Sequence, residues 1–95
     1  MSDFRYINKV TGTGASITVK PGFKASYVNL MNPSGVCIVE WTQDMASGSG
    51  IKQTNGALAY IGSGGVTIGA DELTFTIGAD ADLNALGEPI CMLVV

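Results

Sequence analysis

The sequence contains no histidine, two cysteines and three prolines, and charged residues make up only 14% of its 95 positions. Each shortage excludes something. Without histidine, the commonest general base and the commonest metal ligand are missing. Two cysteines far apart, Cys37 and Cys91, cannot build a zinc site. Five cations give no basic footprint for nucleic acid, which needs clustered Lys and Arg. The longest apolar run, Ile90 to Val95, is six residues, against about 20 for a membrane helix. The opening Met-Ser-Asp-Phe-Arg-Tyr carries charges where a secretory signal needs an apolar stretch. The chain is therefore expected to start in the cytoplasm, with no membrane partner. There its thiols stay reduced and behave as small buried hydrophobes; a Cys37–Cys91 disulfide is the alternative if their stretches are neighbours. No Gly-x-Ser-x-Gly elbow or phosphate-cradling Gly-Lys-Ser/Thr is present. Gly48-Ser49-Gly50 and Gly62-Ser63-Gly64-Gly65 read as flexible loops. The expectation is a protein that is not an enzyme and holds no cofactor.

What the chain has in quantity is apolar residues, 46%, and thirteen glycines. The glycines and prolines leave no gap long enough for more than a short helix, and no segment keeps a 3.6-residue apolar period. Between them lie short segments rich in Val, Ile, Thr, Tyr and Phe, suited to a pleated, half-buried surface. The reading is all-β: one domain over residues 1–95, an antiparallel β-sandwich or jelly-roll-like barrel of about eight short strands. The strands are expected near 4–10, 15–20, 24–31, 35–42, 57–61, 65–69, 72–77 and 89–95. Turn chemistry separates them at Thr11-Gly12-Thr13-Gly14, Pro21-Gly22, Asn32-Pro33-Ser34-Gly35, Asn55-Gly56 and Gly62–Gly65.

Alternation assigns faces. Ala15, Ile17 and Val19 oppose Ser16, Thr18 and Lys20, and Leu73, Phe75 and Ile77 oppose Glu72, Thr74 and Thr76. Segments 35–42 and 89–95 run apolar without alternation, which suits strands covered on both faces by a second sheet or by another subunit. The second of these is expected in a central strand or at an interface. Thr67-Ile68-Gly69-Ala70-Asp71 recurs as Thr76-Ile77-Gly78-Ala79-Asp80, so two strands are expected to end in the same Gly-Ala-Asp turn.

Charge is divided along the chain. Residues 1–52 hold five cations and three acids, a balance of +2, while residues 53–95 hold five acids and no cation. The two signs either meet within the fold or join one subunit to the next. Asp80, Asp82 and Asn84 place oxygens at alternate positions like the start of a calcium loop, but Ala85 stands where such a loop needs Gly and Cys91 where it needs Glu. Capping of their own backbone is the other reading. Low charge with high apolar content favours an oligomer or a bound subunit. Trp41, Met45, Ile90, Met92 and Val94 are the candidate interface contacts, with the 43–55 loop and the N-terminal residues reaching toward neighbours.

A pattern across about residues 36–90 carries a resemblance. It comprises Val39-Glu40-Trp41, Met45-Ala46-Ser47-Gly48-Ser49-Gly50-Ile51-Lys52-Gln53-Thr54, Gly65-Val66-Thr67-Ile68, Phe75-Thr76-Ile77-Gly78 and Ala79-Asp80-Ala81-Asp82-Leu83-Asn84 with Gly87-Glu88. The stretch resembles small β-rich virion modules of tailed bacteriophages, found in head-decoration (cement) proteins and in some tail proteins. The resemblance implies a structural protein on the capsid exterior, partnered by the major capsid protein and self-associating, with a trimer favoured. The alternative it implies is a tail, baseplate or head-fibre component that binds a host surface or carbohydrate.

Overall fold

The computed structural model describes residues 5–95; the expected strand over 4–10 begins on a residue outside that range. The chain is all-β, with no helix among the described residues. Eight strands form: β1 (Tyr6–Thr11), β2 (Ile17–Val19), β3 (Tyr27–Asn32), β4 (Cys37–Thr42), β5 (Ser49–Thr54), β6 (Ala57–Ile68), β7 (Phe75–Ile77) and β8 (Pro89–Val94). They make one curled antiparallel sheet in the order β1-β8-β3-β4-β5-β6-β7-β2. Curling brings Val19, Val66, Phe75 and Ile77, from the β6–β7–β2 end, into one cluster with Val28, Leu30, Val39, Trp41, Ile90, Met92 and Val94. Every one of these side chains is at most 5% exposed. The β8 segment lies between β1 and β3, an interior strand but second from the edge of the sheet rather than central in it.

Two strand assignments differ from expectation. Residues 49–54, expected in a loop, form β5; the strands expected over 57–61 and 65–69 are merged in the single long β6, which ends at Ile68. The reason lies at a corner of the sheet. Gly50 pairs with Ile61 while its neighbour Ser49 pairs with Val66, so residues 62–65 are carried past without a partner on β5. Such an irregularity lets one strand pass from one layer to the other. Its glycines serve close approach: a Cβ on Gly65 would strike the Ser49 carbonyl, and one on Gly50 would lie 2.6 Å from Val39 Cγ1.

The repeat is a paired structure. Thr67 and Thr76 face each other across β6 and β7, and both strands end just before their Gly-Ala-Asp. Each aspartate then caps the chain behind it. Asp71 Oδ1 accepts from Leu73 N (3.0 Å), and Asp80 Oδ1 accepts from Asp82 N (3.0 Å) and Leu83 N (3.2 Å).

Two buried asparagines pin the segment from Gly78 to Glu88 over the end of the core, where Leu83 is fully buried. Asn84 Oδ1 accepts from Thr13 N (2.9 Å) and Gly14 N (3.3 Å), while its Nδ2 donates to Ala15 O (2.6 Å) and Gly78 O (3.0 Å). Asn32 Nδ2 donates to Asp82 O (3.0 Å), Leu83 O (3.3 Å) and Glu88 Oε1 (2.8 Å), and its Oδ1 accepts from Gly35 N (3.0 Å). Buried amides satisfied this fully fix one arrangement of a loop that has little apolar surface to hold it.

Candidate interaction surface

Strand pairing fixes which side chains leave the core, because successive residues point to opposite faces. On β8, Ile90, Met92 and Val94 are buried, so Pro89, Cys91 and Leu93 face outward. Following the register sideways gives a first outward row: Ile7, Leu93, Asn29, Glu40, Ile51 and Tyr60. A second row runs Lys9, Cys91, Met31, Ile38, Gln53 and Leu58. Eight of these twelve side chains are apolar or a thiol, across six strands. Ile7 and Leu58 are each 71% exposed, and Tyr60 60%. Isolated exposed hydrophobics are ordinary, but a connected face of them marks a contact surface.

The apolar runs in β4 and β8 thus reflect two faces. One covers the core, and the other is uncovered in this chain.

The centre of the face is polar. Asn29 Nδ2 donates to Tyr27 Oη (3.0 Å), which donates to Glu40 Oε2 (2.6 Å). The bond to Glu40 and burial raise the Tyr27 pKa. Among the described residues, Asn29 Oδ1 is the buried side-chain atom with no hydrogen-bond partner.

At one end of the face lies a groove of about 390 Å³ between the β3–β4 and β5–β6 turns, lined by Met31, Pro33, Val36, Ile38, Gln53 and Asn55. Asn55 and Gly56 both have positive φ, 32° and 86°, and the turn expected there closes the β5–β6 hairpin, which needs such angles. Val36, expected inside a strand, sits in the β3–β4 turn at φ 53°. For a β-branched residue that conformation is strained, and the side chain is 63% exposed.

Four of the five candidate interface residues are core residues of this chain. Trp41, Ile90, Met92 and Val94 are at most 3% exposed and point inward. Unbroken apolar runs carry no parity, so the expectation took the buried member of each alternating pair. Their outward neighbours on the same strands, Ile38, Cys91 and Leu93, are the surface residues that sequence reasoning passed over. Met45 is partly buried against the core, and its Sδ accepts from Thr42 N (3.4 Å). It helps line a second cleft, of about 320 Å³, with Lys24, Asp44, Glu72 and the buried edge of Trp41. Trp41 spends its Nε1 on Ala46 O (3.2 Å), and its ring offers no open face for stacking. Of the expected reaching loop 43–55, the second half is β5. For the N-terminal residues, positions 1–4 fall outside the described range.

The oxygens of Asp80, Asp82 and Asn84 are otherwise engaged. Lys52 Nζ lies 3.0 Å from Asp80 Oδ2 and 2.7 Å from Asp82 Oδ2, and Asn84 is the staple described above. The hydrogen bonds that Lys52 donates to Asp82 and Asp80 raise its pKa, against the opposing effect of burial. An ammonium group supplies the positive charge there, and among the described residues no cluster of three or more acids or thiols is arranged to hold a metal. The two charge halves of the sequence meet at Lys52 and again at Lys24–Glu72 (3.4 Å), which is exposed and contributes little.

Cys37 and Cys91 are not neighbours. Their strands are separated by β3, Cys37 is buried while Cys91 faces outward, and both thiols are free. Comparison with family models, with curated proteins and with solved structures finds nothing that matches this chain.

Proposed function

We propose that this chain is a non-catalytic structural subunit of a tailed-bacteriophage particle, a head-decoration (cement) protein that packs on the outside of the capsid shell. The observation that carries the reading is the two-row apolar face across β1, β8, β3, β4, β5 and β6. A monomer leaves Ile7, Leu58 and Tyr60 in water. Covering each of them stabilises an assembly by about 1–2 kcal/mol. Repetition over many copies turns small increments into a clamp. The resemblance of residues 36–90 to virion modules supplies the type of assembly, with the major capsid protein as partner and the host cytoplasm as the place of synthesis.

The test is copy number. Purified particles, quantified by mass spectrometry, should contain this chain at a simple fraction of the shell protein. A Leu58→Asp variant should fold with an unchanged Tm and leave the particle. A few copies per particle would move the chain to the tail, and absence from particles would overturn the reading.

A further inference from the structure

We propose that a second copy of this chain covers the β1–β8–β3–β4 half of the outer face, in a two-fold arrangement that brings Lys9 of each copy to Glu40 of the other. The inference rests on the reading that this face is buried in an assembly, and names what lies over half of it.

Charge complementarity carries the argument. Among the twelve outward positions of the two rows, Lys9 is the one cation and Glu40 the one anion. Lys9 makes no ion pair among the described residues, and Glu40 is bonded only to the neutral Tyr27 hydroxyl. They stand on β1 and β4, three strand spacings apart, or about 14 Å. That gap is too wide for them to meet within one chain, but a two-fold contact closes it twice.

An axis lying between the two faces, parallel to the strands and midway between β8 and β3, sets β1 of one copy over β4 of the other. The same operation sets β8 over β3. Lys9 shares its register row with Ile38, and Glu40 lies one step further along, about 7 Å away. The lysine stem therefore runs along Ile38 of the second copy while its ammonium reaches Glu40, the usual way a long cation covers apolar surface. An isologous contact makes each such pair twice.

The footprint sets the strength. Four strands by about five residues cover roughly 300–350 Å² per copy, less than half of the ~800 Å² that a standard stable interface buries on each side. The pairing is therefore weak and concentration-dependent, suited to copies already held side by side. An isologous pair, rather than the trimer that the resemblance implies, is what this half-face fits. Leu58 and Tyr60, outside the footprint, stay available to a shell.

Sedimentation velocity on the full chain, from micromolar to millimolar concentration and at low and high salt, tests this. The expected result is a monomer–dimer equilibrium that salt weakens. Lys9→Glu and Glu40→Lys should each abolish it, and the double exchange should restore it. Lys9 is exposed and makes no ion pair among the described residues, and an unchanged Tm checks that each variant still folds. A monomer at every concentration would overturn the inference, as would a dimer indifferent to the charge reversals. Either result leaves the particle reading standing if the chain is recovered on particles. A charge-dependent dimer that is absent from particles would separate the two in the opposite direction.

Discussion

Cys37 and Cys91 lie on opposite faces of one sheet, Cys37 packed into the core beneath β4 and Cys91 turned outward from β8. A thiol reagent should therefore modify Cys91 in the native protein. Cys37 should react only at the rate of unfolding. Counting labels by intact mass before and after denaturation checks this; rapid double labelling of the native state would mean that β4 is not packed as described.

Alkaline pH should destabilise the protein from about pH 9. Burial raises the Cys37 thiol from an ordinary 9.0 to about 11. Between those values an unfolded thiol ionises and the native one does not, so the native state binds more protons and stability falls as pH rises. The raised pKa values of Tyr27 and Lys52 act in the same direction, at higher pH. Cys37 alone accounts for at most about 2–3 kcal/mol. Urea titrations across this range should show the decline. In Cys37→Ala, a lower but flatter profile is expected over pH 9–11.

Asn84→Ala should cost about 2–4 kcal/mol. It strands the amides of Thr13 and Gly14 and the carbonyls of Ala15 and Gly78 at a site where Asn84 is 1% exposed. Thermal unfolding gives the magnitude. Hydrogen exchange should place the loss at residues 12–15 and 78–88, whereas a uniform loss would contradict the staple role.

Val36→Gly should stabilise the isolated protein by about 0.5–1 kcal/mol. The left-handed conformation disfavours a β-branched side chain by more than glycine adds to the freedom of the unfolded chain. If the Val36 side chain seats a neighbour at the groove beside Met31 and Ile38, the same change lowers occupancy on particles. Stability and occupancy then move in opposite directions.

Much of the fold was legible in the residues. Period-two alternation located β2 and β7, the Asn55-Gly56 pair marked a turn, and the apolar run over 89–95 marked β8 as a strand with neighbours on both sides. Residues 49–54 were not legible, because Ser-Gly-Ile-Lys-Gln-Thr is small and polar. They become a strand through β4 and β6 on either side. Gly62–Gly65 misled for a related reason: glycine chosen for close backbone approach looks the same in sequence as glycine chosen for a turn. The surface was half legible. The runs in β4 and β8 signalled two covered faces, but parity came only from the register, which turned attention from Ile90, Met92 and Val94 to Cys91 and Leu93.

The place of β8 also sets the order of events during synthesis. β1 has a single neighbour, and that neighbour is the last of the eight strands to be made. While the ribosome is still producing the middle of the domain, β1 has no edge to join, and the two rows of the outer face are interrupted between Ile7 and Asn29 and between Lys9 and Met31. Sticky surface of that breadth therefore comes into being only with the finished sheet. A chain truncated before β8 has no continuous outer patch, and it also leaves Val28 and Leu30 without the Ile90, Met92 and Val94 side chains that share their core.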